Sequence, residues 1–93
     1  DRNSLPQLGI HVEKMRYSGR DGCNNISGGV IELDKQLIRF GISAGTRMMC
    51  EDMTIPDQFN ATLPEVRSWE IHENDLQFLD ADGREVMQLH KID

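Results

Sequence analysis

Alternation of apolar and polar side chains at period two runs through most of this chain and is broken by one helical pattern. Side chains of an extended chain point alternately to two faces, so such segments make half-buried strands of an antiparallel sheet. In "GIHVEKMRY", Ile10 and Val12 hold the apolar face until a slip of one residue near Glu13–Lys14 hands it to Met15 and Tyr17. That slip predicts a single strand bent at a bulge. "GGVIELD" and "QLIRFGI" predict a hairpin around Asp34-Lys35, and "SAGTRMMC" continues as a short extended piece. Toward the C-terminus "SWEIHEN", "DLQFLDADG" and "EVMQLHKI" predict three antiparallel strands with turns at Asn74-Asp75 and Asp82-Gly83. Trp69 and Ile71 share a face, Leu76 and Phe78 follow, and Val86, with Leu89 after another phase change, completes the set.

The interruption is "EDMTIPDQFNATLPEVRSW", where Thr54 reads as a helix N-cap, Pro56 lies in the first turn and Asp57 completes a capping box. Met53, Ile55, Phe59, Leu63 and Val66 recur at three- to four-residue spacing and form one apolar stripe. Pro64 lacks a backbone donor, so the helix should end or kink near Leu63. Strands, one short helix and strands again define an α+β domain.

With 93 residues the chain fits one domain, 1–93, and with 38% hydrophobic residues its core must be thin. A formal charge of −6, with Arg39, Arg47, Arg67 and Arg84 scattered singly, argues against nucleic acid as a partner. No apolar run is long enough to span a bilayer as a helix. The chain opens at Asp1 without an initiator Met, so we expect an N-terminal segment to have been removed, leaving a lipid anchor upstream of Asp1 open.

The stretch "YSGRDGCNNISGG" gathers four glycines and two asparagines around Cys23, and the second cysteine is Cys50. The residues alone leave four readings: a disulfide, two buried thiols, half a metal site, or a nucleophile and a bystander. A structural zinc site needs four ligands, and His11, His72 and His90 stand at no recognisable interval from the cysteines, so no metal or other cofactor is expected. A nucleophilic thiol needs an electropositive setting, and Glu51 and Asp52 beside Cys50 oppose one. We therefore expect no catalytic set. Arg47 reads as a ligand-binding cation or, more simply, as a strand arginine paired with a carboxylate. Met48, Met49 and Met53 read as a soft cluster lining a groove or, more simply, as core packing against the helix. "DADG" at Asp80–Gly83 lacks the spacing of a calcium loop and reads as a hairpin turn. Asn25-Ile26-Ser27 and Asn60-Ala61-Thr62 satisfy the glycosylation sequon, a pattern frequent by chance.

"GRDGCNNISGG", then "GTRMMCEDM", a short helix and a closing "DLQFLDADGREVMQLHK" resemble, in that order, the META domain or HslJ-like family. The residues carrying the resemblance are Gly22, Cys23, Asn24 and Gly28, then Thr46, Arg47, Met48 and Cys50, then Asp82 and Gly83, over about Leu8 to Lys91. The resemblance implies a strongly curved antiparallel sheet, cracked-barrel-like, with one short helix. The family's first strand is expected to be shortened, missing or replaced by the extended Leu5–Leu8 within an N-terminal segment 1–8. It implies a periplasmic or outer-membrane-anchored protein of the bacterial envelope that acts in stress response or maintenance through an unknown envelope protein. In the oxidising setting so implied, a thin-cored domain gains from a Cys23–Cys50 disulfide, worth roughly 3.5 kcal/mol in the chain-entropy model. By analogy with secretin-pilot lipoproteins, the alternative is a carrier of a small apolar ligand held between Ile55, Phe59, Leu63 and the sheet.

Overall fold

The structure is a computed structural model that describes residues 6–90; the Leu5 end of the N-terminal segment and Lys91 lie outside the described residues. Its first hairpin pairs β1 (Gln7–His11) with β2 (Arg16–Arg20), placing Ile10 opposite Tyr17. Between them Val12–Lys14 form a single 3-10 turn, and Met15 sits at φ 52° in the left-handed region. The slip near Glu13–Lys14 is thus a chain reversal, which corrects the expectation of one bent strand. Period-two patterns that change phase look alike whether one extra residue bulges or a tight turn intervenes. The described chain therefore has a five-residue first strand beginning at Gln7.

The longest strand, β3 (Asn25–Leu33), pairs with β2 along one side. Its other side is shared: Val30–Leu33 take β4 (Ile38–Phe40), and Ile26–Ser27 take the two-residue β5 (Ala44–Gly45). The expected turn at Asp34-Lys35 is held by Asp34 Oδ1, which accepts from the backbone N–H of Gln36 at 2.8 Å and of Leu37 at 2.7 Å. Such a side-chain acceptor reverses the chain locally without glycine.

A second sheet is the antiparallel series β6 (Ser68–His72), β7 (Asp75–Leu79) and β8 (Glu85–His90). Trp69 opposes Phe78 and Ile71 opposes Leu76, so the expected apolar face forms through Trp69, Leu76 and Phe78, whereas Ile71, near the end of β6, is 61% exposed. The phase change before Leu89 is a bulge at Val86: Phe78 pairs with Met87 while Leu79 pairs with Glu85. The first of the two turns lies one residue earlier than expected, at Glu73-Asn74, with Glu73 at φ 57°. Asp75 is drawn into the strand because its carboxylate accepts from His90 Nδ1 at 2.8 Å and Gln88 Nε2 at 2.9 Å across β8. The sheets meet where β4 touches β6, through Ile38 N–H to the Arg67 carbonyl and Trp69 N–H to the Gln36 carbonyl, both 3.0 Å. The strands β1 and β8 remain unpaired with one another among the described residues, and the sheets do not close into a barrel.

The helix α1 (Thr54–Thr62) passes into a 3-10 turn at Leu63–Glu65, where Pro64 ends it as expected. Its start differs: Thr54 is already helical and makes no cap, while Asp52 Oδ1 accepts the Thr54 N–H at 2.9 Å. Pro56, Phe59, Leu63 and Val66 face inward, whereas Ile55 is 46% exposed on the outer side. The expected stripe therefore loses Ile55, which lies one residue, about 100° of helix rotation, from buried Pro56.

Tyr17, Ile26, Val30, Ile38, Phe40, Phe59, Leu63, Val66 and Phe78 form the core, drawn from both sheets and the helical segment. Phe40 stands edge-on to Tyr17 and to Phe78, with centroids 5.1 and 5.3 Å apart, so an aromatic row crosses the sheet junction. Gly28 makes room for it: a Cβ there would come within 2.6 Å of Tyr17 Oη and 2.8 Å of the Ile42 carbonyl.

Candidate functional site

The two cysteine-bearing motifs meet at one corner of the molecule. Asp21 starts a tight turn in which its Oδ1 accepts the N–H of Cys23 at 2.8 Å and of Asn24 at 2.7 Å, while its own N–H reaches the Asn24 carbonyl. Gly22 takes φ 107°, a conformation other residues rarely adopt. The turn aims Cys23 at Cys50, and the two form a disulfide with a Cα separation of 6.1 Å. Cys23 is buried and Cys50 half-buried.

Asn24 acts across the corner rather than on its own turn. Its Oδ1 accepts the Met48 N–H and the Thr46 hydroxyl, and its Nδ2 donates to the Met48 carbonyl at 3.0 Å. Thr46 answers with Oγ1 accepting the Asn25 N–H and its own N–H donating to the Asn25 carbonyl, both at 3.1 Å. The motif residues Asn24, Thr46 and Met48 thus form one strand-to-strand clamp beside the sulfur bridge.

Two residues that sequence reasoning did not assign to the site complete it. Asn60 on α1 donates through Nδ2 to Asp21 Oδ2 at 2.6 Å and to the Pro56 carbonyl at 3.0 Å, tying the helix to the turn. These two acceptors fix the amide orientation, and Asn60 Oδ1 is left buried with no donor among the described residues. Only the sequon drew attention to Asn60. An aspartate two residues before Cys23 could have been read as a turn acceptor. Asp21 is 2% exposed. Burial pushes its carboxyl upward, and the bonds from the Asn24 backbone, the Asn60 amide and the Cys23 backbone together outweigh that, holding it below the usual carboxylate range.

The other expected site residues lie elsewhere or play other parts. Arg47 is exposed and makes no hydrogen bond or ion pair among the described residues, so the expected carboxylate partner is not found. Met48 and Met49 are 51% and 84% exposed, which corrects their expected place in the core: a clamp that fixes the backbone at Met48 turns both side chains outward. Phe59 and Leu63 are core residues and Ile55 faces away, so the three share no open groove. Asp82 and Gly83 stand in the remote β7–β8 turn, where Asp80 Oδ1 accepts from the N–H of Asp82 and Arg84 and Gly83 takes φ 83°. His72 pairs with Glu70 at 2.9 Å, His90 with Asp75 at 2.8 Å, and His11 with Ser18 at 3.3 Å, on separate exposed edges. No helix among the described residues is long and apolar enough to cross a membrane.

A family model, the META domain, matches residues 1–92, and the chain belongs to that family. Neither the curated proteins nor the solved structures contain a significant match.

Proposed function

We propose that this META domain is a non-enzymatic module of the bacterial cell envelope that works by binding another protein, in envelope maintenance or stress response. The observation that carries the reading is the Cys23–Cys50 disulfide at the meeting point of the two motifs. Disulfides persist in oxidising compartments, which favours export to the periplasm or to an outer-membrane anchor. The side chains of the motifs support the same reading. Asn24 and Thr46 hold neighbouring backbone, and Gly22 and Gly28 permit a turn and a ring, so the roles of these four motif residues are architectural. A surface of fixed shape on which no acid, base and nucleophile converge among the described residues suits a binding module. The carrier reading is not adopted, because Phe59 and Leu63 are already packed into the core. An arrangement of two sheets joined through the β4–β6 contact is compatible with the cracked barrel that the family implies.

Two measurements test this. Alkylation of freshly isolated protein under denaturing, non-reducing conditions should leave both cysteines unlabelled; labelling of both would remove the export argument. Crosslinking in intact cells followed by capture should enrich a specific envelope protein over an unrelated acidic domain, and repeated failure to do so would remove the binding argument.

A further inference from the structure

The segment from Thr46 to Met53, which joins β5 to α1, carries three of the five methionines and supplies none of the core residues. Met49 is 84% exposed and Met48 51%, against 37% for Met15, while Met53 is half-buried and Met87 packs half-buried against the core. What holds this stretch involves no thioether. Asn24 Oδ1 accepts the Met48 N–H and Asn24 Nδ2 donates to the Met48 carbonyl, the Thr46 N–H donates to the Asn25 carbonyl, and the sulfur bridge fixes Cys50. The fold therefore uses the main chain of Met48 and leaves the side chains of Met48 and Met49 in water.

An exposed thioether is a soft nucleophile that takes an oxygen atom from two-electron oxidants. Both cysteines are already joined in the disulfide, so no thiol of this chain competes for the oxidant. We propose that Met48 and Met49 form a reversible oxidation site, at which a hypohalous acid or a hydroperoxide converts each thioether to its sulfoxide while the domain stays folded. The oxidant's terminal oxygen bonds to Sδ and sulfur gives up two electrons; hypochlorous acid leaves as chloride and a proton, and hydrogen peroxide leaves as water. The return step belongs to a thiol-dependent sulfoxide reductase, which releases the oxygen as water and joins two thiols as a disulfide. A segment outside strand and helix, with both side chains in solvent, is open to such an enzyme. A buried methionine cannot serve in this way, because a polar sulfoxide disrupts the packing around it. Here the change falls on an open cleft of about 310 Å³ lined in part by Met48, Met49 and Met53, whose wall turns from apolar to polar. The site stands independently of the protein-binding reading.

The test is a graded titration of the folded protein with hypochlorous acid and, separately, hydrogen peroxide, with oxygen uptake assigned residue by residue by fragmentation mass spectrometry. The first two oxygen atoms should lie on Met49 and Met48, ahead of Met15, with Met53 and Met87 last. The doubly oxidised protein should melt within about 4 °C of the untreated protein, as expected for a change confined to the surface. Sulfoxide reductases for both epimers, supplied with a thiol reductant, should clear the sulfoxide from both residues. M48Q/M49Q, which lacks both thioethers, should melt like the parent and take up two oxygen atoms fewer before Met15 responds. The proposal is overturned if Met15, Met53 or Met87 is oxidised as early as Met49 and Met48, if M48Q/M49Q takes up oxygen like the parent, if the oxidised protein or M48Q/M49Q loses its folded melt, or if the reductases leave both sulfoxides in place. Failure to capture a specific envelope protein removes the protein-binding reading and leaves this site standing.

Discussion

The braced corner and the aromatic centre of this domain are held by different physics. At the corner, Asp21, Asn24, Thr46 and Asn60 make short directional bonds around a covalent bridge, and the apolar side chains nearby are left in solvent. At the centre, Tyr17, Phe40, Phe78, Phe59, Leu63 and Val66 exclude water, with the tyrosine hydroxyl donating to the Gly41 carbonyl at 2.9 Å. Burial rewards area and is tolerant of direction, so it holds the sheets together. Hydrogen bonds reward geometry and contribute less net free energy, so they decide where a surface segment sits. Most of the family motif lies at the corner, and most of the burial lies at the centre.

The sharpest test of this division is a core truncation. Phe78 is 0% exposed, and Phe78→Ala should cost about 3–5 kcal/mol in chemical denaturation. A loss near that of a surface change would mean that the second sheet folds without the aromatic row. Cys23→Ala with Cys50→Ala should cost up to roughly 3.5 kcal/mol. Its signature should be local: in hydrogen exchange, amides of Ala44–Cys50 should lose protection before those of β7. Uniform loss would show that the corner and the centre unfold as one unit.

Asn24→Ala should cost about 1–2 kcal/mol, because the Met48 and Thr46 groups it satisfied then depend on water. The test is whether its coupling with the double cysteine change is non-additive, as a shared corner requires.

The two regions should also fail at opposite ends of the pH scale. Asp21 is held below its unfolded value, so its contribution is present above about pH 4 and disappears as pH falls through the folded value. Asp21→Asn should flatten the acid limb. Tyr17 is pushed upward by burial, against smaller opposing effects of Ser43 and Arg16, so it resists ionisation. Its contribution is present below about pH 10 and is lost as pH rises through the folded value. The smallest effect belongs to M48Q/M49Q, expected within about 0.5 kcal/mol of the parent, since neither side chain is buried.

What could be read ahead of the fold was whatever a local period or a local bond decides. The hairpin at Asp34, the strands β6 to β8 and the end of α1 at Pro64 follow from alternation, turn chemistry and a missing donor. The phase slip at Glu13–Lys14 was visible and its meaning was not, because a bulge and a 3-10 reversal both shift the apolar face by one residue. Met48 and Met49 look like core by composition, and only the Asn24 clamp, formed across 24 residues of sequence, turns them outward. Asn60 reaches Asp21 across 39 residues, a separation at which no pattern in the string connects them.

The sequence by itself determined an antiparallel α+β domain with one short helix, two cysteines in separate motifs and an acidic surface, because hydrophobic period, turn residues and charge are properties of neighbouring residues. Tertiary structure decided that the first strand is half of a hairpin, that Asp21 and Asn60 belong to the cysteine corner, and that Met48 and Met49 face solvent. Those outcomes depend on which distant backbone groups an amide or carboxylate meets once the chain has closed, and that encounter is written in three dimensions only.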